Sequence, residues 1–598
     1  MKTNRVIKIF LASSEELEAD RYRFGNLIRK LDNIYEKRGI RIELFEWEDY
    51  DAAYNGMRKQ DEYNERVRAS DMFLALFYKK AGKFTIEEFN IARKAFDEQA
   101  SPKIYTYIKD LEAGESESRD LAEFKRLMLE ELGHYWCRYS NFDTMQLHFV
   151  LQLQMVEATT PIKVEVKESQ VKIGDSTIAD LNNVPFTSEN TTYRELQSRK
   201  EQLDREIGNA ESGGRRGFFG QRSRTTDEEL ANLREERESV TKQIERQEKA
   251  LVDTAMSIAR MQGGECSPRM RTAAELFEKG EIGKAEAVLK EDDMEADATN
   301  AKLKFDTAAQ PTAELTRNIE RCAGEYMLKA RIVVSGIADE SRYRQAVKLM
   351  STAIDLVSGR LPEETLAEYL FDYAVLLTDT GQQTKALETW ERLSGIYERL
   401  YRKAPQKYAY GYAGVLNNMA VLYSDKGDFD HCLSKYLKAI DIYDWLDREE
   451  PGIYDDDIAR LKNNLGTLYS DRDEYNKALS EFNEAARIRF ELLAKDNDPD
   501  SRSALADIYC NMATALQFSD HSQEALRYIA QAHAILDELD KEFPRIYEYK
   551  LYSILNREGS IYTRLDQLDK AEESLQKSLQ LAANLASRMP LAHSADLA

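Results

Sequence analysis

The chain has 598 residues, 42% of them hydrophobic and 32% charged, with only 11 prolines, which exceeds one hydrophobic core and points to several domains with much helix. A net charge of -23 repels phosphate at long range and argues against general nucleic-acid binding or binding to an anionic membrane surface. The scattered Cys137, Cys266, Cys322, Cys432 and Cys510 lack CxxC spacing and the six histidines form no ligand pattern, so reduced thiols, a cytoplasmic setting and no metal site are expected.

Near the start, Val6 to Ala12 is a short apolar run followed by acidic residues. A signal peptide needs a longer apolar core and a small-residue cleavage site. No uninterrupted apolar segment reaches the roughly 18 residues of a membrane-spanning helix. Over residues 1–158, strand and helix patterns alternate. Residues 6–11 read as a strand, and Ser13-Ser14-Glu15-Glu16 as the start of a helix that runs to about residue 37. Residues 41–47, 72–77 and 103–108 read as strands, with a short fifth at 134–139; residues 61–69, 86–96, 121–132 and 144–156 read as helices. Repeated βα units imply a parallel, doubly wound sheet covered on both faces. GxGxxG, GxxxxGK[ST] and Gly-x-Ser-x-Gly are all absent from the sequence, which argues against a dinucleotide fingerprint, a P-loop and a hydrolase elbow.

After the third strand and a turn at 79–82 comes Lys83-Phe84-Thr85-Ile86-Glu87-Glu88-Phe89-Asn90-Ile91-Ala92. A carboxylate at a helix start, just past the C-terminal end of a parallel strand, lies where open α/β sheets bind ligands. Glu88 is therefore the candidate catalytic acid. The competing reading is that acids at a helix start simply complement the macrodipole.

These segments carry a resemblance. Residues 7–14, 70–77 and 82–92 together resemble a TIR domain, more narrowly the divergent TIR-like domains of bacterial defence proteins, over about a quarter of the chain. TIR enzymes place an aromatic residue, three residues, a Glu, then a small residue one turn later; here these are Phe84, Glu88 and Ala92. The resemblance implies NAD+ cleavage at the nicotinamide–ribose bond, with NAD+ as substrate and no cofactor. One carboxylate suits that chemistry, because nicotinamide departs as a neutral group from an oxocarbenium-like centre. Phe10, Ser13, Ser14, Trp47, Tyr78 and Phe84 are the accompanying substrate-binding candidates. Ser13 and Ser14 offer hydroxyls and amides to phosphate or ribose, while Trp47 and Tyr78 offer stacking surfaces. The competing readings are a helix cap for the serines and core packing for the aromatics. Residues 48–58 lack the proline-bearing loop of TIR adaptors, which speaks against adaptor-style signalling.

Residues 159–188 read as a small β element: residues 161–167 alternate, residues 170–173 follow, and Gly174-Asp175 is a turn signal. Residues 189–265 read as an antiparallel coiled-coil hairpin. Tyr193, Leu196, Leu203 and Ile207 form one seam, and Leu230, Leu233, Val240, Ile244, Leu251 and Ile258 the other, with Arg237 and Gln247 at seam positions. Residues 226–229 form a capping box after a non-helical tip. The tip carries Arg215, Arg216, Phe218, Phe219, Arg222 and Arg224, either as a solvated loop or as a docking point for an acidic protein surface.

Residues 266–598 are dominated by an internal repeat. Ala386, Cys432, Ala478, Ala525 and Ala571 recur at steps of 432-386=46, 478-432=46, 525-478=47 and 571-525=46. Ala420, Tyr423, Gly427, Phe429, Cys432, Tyr436 and Ala439 correspond to Gly466, Tyr469, Asp473, Tyr475, Ala478, Phe482 and Ala485. The pattern resembles tetratricopeptide repeats with extended helices, similar to those of kinesin light chains, which read Leu-Asn-Asn-Leu-Ala. Here the segments are Leu416-Asn417-Asn418-Met419-Ala420 and Leu461-Lys462-Asn463-Asn464-Leu465-Gly466. The resemblance implies that Asn418, Asn464, Asn511 and Asn556 line a groove and hydrogen-bond a peptide or protein ligand. The alternative is that they bond across neighbouring helices.

The expected fold class is thus α/β plus all-α: a flavodoxin-like TIR-type sheet domain, a coiled-coil helical hairpin and an α-solenoid of extended repeats. The expected function is that of an NAD+ hydrolase of a bacterial anti-phage immune effector, a homo-oligomer activated by assembly or by sensing through the repeats. A non-enzymatic scaffold and an enzyme acting on other nucleosides remain as alternatives.

Overall fold

The computed structural model describes residues 5–36, 39–46, 59–112, 114–128, 136–156, 164–167, 169–173, 176–212, 227–261, 266–336, 340–449, 451–495, 497, 499–542 and 547–588. The chain divides into two compact units, Met1–Arg194 with Glu245–Arg342, and Glu195–Ile244 with Tyr343–Ala598.

The first unit begins with β1 (Arg5–Ser13), α1 (Glu18–Glu36), β2 (Ile40–Phe45), α2 (Lys59–Arg68), β3 (Met72–Phe77), α3 (Lys83–Gln99), β4 (Lys103–Lys109), α4 (Arg119–Arg126), β5 (Trp136–Tyr139) and α5 (Phe142–Val156). The five strands are parallel, in the order β2-β1-β3-β4-β5. That is the order of flavodoxin-like sheets, in which the switch point lies between β1 and β3. β3 is central and every residue of Met-Phe-Leu-Ala-Leu-Phe is buried, as helices on both faces require. β2 is an edge strand and alternates. Ile7, Ile9 and Leu11 join the core beneath α1 and α5, whereas Phe10 and Ala12 join the core beneath α3 and α4.

Most boundaries shift by a few residues from the sequence expectation, and one shift bears on the site. α3 starts at Lys83, capped by an extended Gly82 at φ -63° and ψ 137°, instead of at residue 86. Thr85 turns inward and is buried, which extends the helix by a turn that the mixed Lys-Phe-Thr sequence does not advertise. Glu87 and Glu88 therefore lie in the second turn, not the first.

β6 (Glu165–Lys167), β7 (Gln170–Ile173) and β8 (Ser176–Asp180) form an antiparallel three-stranded sheet. It is more than a link, because Ile173 and Ile178 belong to the same apolar cluster as Phe24, Met145 and Phe149. α6 (Pro185–Ser188) leads into α7 (Thr191–Ser212) and α8 (Asp227–Met261). Arg199 Nη2 pairs with Glu236 at 2.6 Å and Arg237 Nε with Asp204 at 2.8 Å, as in an antiparallel pair of charged helices. The tip residues 213–226 lie outside the described residues. α9 (Pro268–Glu278), α10 (Ile282–Val288), α11 (Glu291–Thr307) and α12 (Ala313–Ser335) fall in the first unit, although the periodicity alone assigns this stretch to the array.

After α13 (Glu340–Val357), the second unit is a stack of five helix pairs: α14 (Glu363–Asp379) with α15 (Gln383–Lys403), α16 (Pro405–Asp425) with α17 (Phe429–Glu449), α18 (Asp455–Ser470) with α19 (Tyr475–Lys495), α20 (Pro499–Phe518) with α21 (Ser522–Glu542), and α22 (Glu548–Arg564) with α23 (Leu568–Arg588). Ala386, Cys432, Ala478, Ala525 and Ala571 are all buried, so the small residues sit where paired helices approach. The turn within each pair carries one residue at positive φ: Gly381, Gly427, Asp473, Asp520 and Asp566. The amides that follow close the motif, for example Asp428 N to Tyr423 O at 2.9 Å and Glu474 N to Tyr469 O at 2.9 Å, the six-to-one bond of a Schellman cap.

Candidate functional site

β1 and β3 stay paired to Ser13 and Leu76, and the chain that leaves each strand contributes to one polar crevice. From β1, Ser13 is half-buried, Ser14 is buried and Glu16 is exposed. Behind them stands Arg21 of α1, only 2% exposed. Its Nη1 donates to Ser13 Oγ at 2.9 Å and to the Ser14 carbonyl at 2.8 Å. A guanidinium taken so far out of water must be met by acceptors, and these two contacts fix the loop after β1. From β3, the backbone amides of Lys79 and Lys80 donate to Glu16 Oε1 at 3.0 and 3.3 Å. Ser14 Oγ donates to the same oxygen at 3.3 Å.

Tyr78 follows on the same rim. Its hydroxyl donates to Glu115, Lys79 Nζ pairs with Glu115 at 2.5 Å, and the Lys79 and Lys109 ammonium groups lie 4.9 and 5.6 Å from its ring centroid. The hydrogen bonds from Lys79 and Tyr78 pull the Glu115 carboxyl down to about 2, while the Glu115 bond raises the Tyr78 phenol above its ordinary value. Deeper in, Asp20 accepts from Lys109 Nζ at 2.9 Å and from Tyr139 Oη at 3.0 Å. Burial, then the Asp20 charge, push the Tyr139 phenol well above its ordinary value.

The structure therefore brings Ser13, Ser14 and Tyr78 to one rim. Trp47 lies outside the described residues. Phe10 is 2% exposed and stacks on Phe73 with centroids 5.9 Å apart; it packs the core and offers no surface to a ligand. Phe84 is the reverse, 55% exposed in the first turn of α3. Glu88 is 7% exposed on the inward face of α3, with Thr85 and Ala92 buried on the same helix. It stands six residues into the helix from Gly82, about 9 Å below the helix start. The macrodipole acts within the first turn, so it does not account for an acid there. Arg21, Glu16 and Glu115 were not singled out from sequence. Nothing local marks them; only the strand order brings their loops together.

In the array, Asn511 Nδ2 donates to Asn463 Oδ1 at 3.0 Å, a bond between α20 and α18. Asn464 hydrogen-bonds Tyr436. Asn418 is half-buried and Asn556 exposed. Asn556 is also out of register: 420-418, 466-464 and 513-511 all equal 2, whereas 559-556 equals 3. Arg557 holds the equivalent place and bonds Thr514. Two open depressions recur at the turns within pairs, one at residues 520–524 with Arg564 and one at residues 426–430 with Arg472. They follow from the repeat geometry and hold no constellation suited to catalysis. Among the described residues no group of His, Cys, Asp and Glu suited to a metal ion occurs, and no helix is long and apolar enough to cross a membrane.

Comparison with known proteins identifies a tetratricopeptide repeat at residues 552–585. No curated protein sequence matches the chain. Among solved structures, BtubC from P. vanneervenii is 19% identical over 41% of this chain and 92% of its own, with a TM-score of 0.31. The apo form of RapI is 15% identical over 65% and 98%, with a TM-score of 0.35. A signal transduction ATPase with a tetratricopeptide repeat sensor from Pyrococcus horikoshii is 12% identical over 100% and 95%, with a TM-score of 0.37. At identities and scores this low, none of the three indicates what this chain binds or does.

Proposed function

We propose that the first unit is an NAD+ hydrolase of the TIR type, and that the repeat array is a sensor for a peptide or protein which, with self-association, sets when the enzyme acts. The observation that carries this reading is Glu88: a carboxylate withdrawn from water, on the helix that follows the central strand, beneath the C-terminal edge of a 2-1-3-4-5 sheet. The chemistry asks little more of the protein. The bond between nicotinamide nitrogen and ribose C1′ breaks, neutral nicotinamide leaves, and water adds to C1′ to give ADP-ribose and a proton. Glu88 would offset the positive charge that develops at C1′ and hold the ribose hydroxyls. Ser13, Ser14 and Tyr78 would bind the remainder of the dinucleotide along the rim.

The test is NAD+ consumption by the full chain at high concentration, alone and with lysate of phage-infected cells. Glu88→Ala is expected to lower turnover about a hundredfold or more, with an unchanged circular dichroism spectrum. Equal turnover by both proteins removes Glu88 from the mechanism.

A second reading has an observation of its own. Most polar groups of the crevice already bond one another: Glu16 on two amides, Arg21 on the β1 loop, Glu115 on Tyr78 and Lys79. A scaffold that uses this sheet only for contacts between copies needs no more than that. It predicts concentration-dependent assembly in light scattering that Glu88→Ala leaves intact, with no NAD+ consumed.

A further inference from the structure

The crevice contains an acceptor where an open α/β sheet usually receives its ligand. Two consecutive backbone amides, Lys79 N and Lys80 N, converge on a single oxygen, Glu16 Oε1, at 3.0 and 3.3 Å, and the Ser14 hydroxyl points at the same atom from 3.3 Å. Successive amides that converge in this way form an anion-binding concavity. It sits at the β1/β3 switch point, outside the carboxyl ends of the strands. The frame is rigid: Arg21, almost wholly buried, clamps Ser13 and the Ser14 carbonyl, and β3 is buried throughout. The occupant is not. Glu16 is exposed and belongs to the single 3-10 turn Glu15–Leu17, so its side chain can swing to water without disturbing the core. The exposed Lys80 adds positive charge beside the cradle.

We propose that the Glu16 carboxylate is an internal stand-in for a phosphate of the ligand, an autoinhibitory plug that must leave the Lys79–Lys80 cradle before a phosphate-bearing nucleotide can seat there. This deepens the reading of the crevice as a nucleotide site and rests on it. A plug that fills the cradle most of the time lowers apparent affinity by the fraction of time the cradle is free, so occupancy of nine-tenths weakens binding about tenfold.

Binding of inorganic pyrophosphate and of ADP-ribose to the full chain, measured by titration calorimetry, tests the idea without any turnover. Glu16→Ala is expected to bind pyrophosphate about tenfold more tightly than the parent. Glu16→Gln, which keeps an acceptor for the amides but loses the charge, is expected to fall between. Ser14→Ala added to Glu16→Ala is expected to lose part of the gain. Glu18→Ala removes an equal charge from the exposed start of α1 and is expected to change little. No gain in Glu16→Ala, or an equal gain in Glu18→Ala, overturns the plug. The two readings fail separately. Tighter pyrophosphate binding with no NAD+ consumed by any variant keeps the plug and removes the hydrolase; normal NAD+ cleavage with unchanged pyrophosphate binding does the reverse.

Discussion

Glu115 shows how single residues fasten the rim. Its carboxyl is held near 2 chiefly by Lys79, then by Tyr78. A carboxyl depressed below its ordinary value stabilises the fold at pH above about 4.5, and that contribution fades as pH falls toward about 2. The site is open to solvent, which screens the pair, so a modest effect is expected. Glu115→Gln should lower thermal stability slightly at neutral pH, flatten the acid limb between pH about 4.5 and about 2, and leave stability at the acid end nearly unaffected, as scanning fluorimetry across pH would record. Glu248 of α8 is a deeper case. It is buried and accepts from Tyr193 Oη at 2.7 Å and Ser169 Oγ at 2.6 Å. Glu248→Ala removes the shared acceptor and leaves Tyr193 Oη only longer contacts, to Ser169 Oγ at 3.4 Å and Asn182 Oδ1 at 3.5 Å; it should cost about 1–3 kcal/mol, whereas Glu248→Gln keeps an acceptor and should cost less. Urea denaturation of the two variants separates the outcomes.

At the scale of elements, three glycines of the array predict three different results. A Cβ on Gly466 would stand 2.5 Å from the Phe482 ring, and Phe482 is packed among Leu505, Ile508 and Met512. Alanine gains up to about 1 kcal/mol of helix propensity, but overpacking costs about 1–3 kcal/mol, so Gly466→Ala should destabilise. Gly427 has open space but a φ of 70°; Gly427→Ala should cost about 1 kcal/mol through the backbone alone. Gly414, in the body of α16, has neither constraint, and Gly414→Ala should be neutral or stabilising. Chemical denaturation of the three single variants checks the order. The 46-residue period marks Gly427 and Gly466 as repeat positions, yet it does not say which is a turn and which is a contact. Only the neighbouring ring and the sign of φ decide that.

At the scale of the molecule, two compact units predict two unfolding transitions in calorimetry, since cooperativity does not extend freely between separate cores. Each responds to its own mutations. Gly466→Ala should lower one transition. Gly280→Ala should lower the other, because Gly280 has a φ of 77° and its Cβ would meet Pro185 O at 2.5 Å, a backbone contact with no side chain to yield. A repeat array built from nearest-neighbour interfaces should also unfold less sharply than the sheet-containing unit.

The sequence alone determined the strand and helix alternation of the head, the repeat and its period, and the small residues at helix contacts, because each rests on local periodicity that burial imposes directly. Its reading of the site was uneven. Ser13, Ser14 and Tyr78 were legible as residues at strand ends; the burial of Phe10 was not, since a surface aromatic and a core aromatic look alike along a chain, and Asn556 lies one position from the register of Asn418, Asn464 and Asn511. The tertiary structure alone decided that Glu88 lies in the second turn of α3, that the small β sheet completes the core of the head, and that residues 245–342 pack with the first unit. It also decided that Glu16, Arg21 and Glu115 share a crevice with Ser14 and Tyr78. These facts depend on strand order and on loops distant in sequence meeting in space, and no periodicity within a segment records which neighbour it will meet.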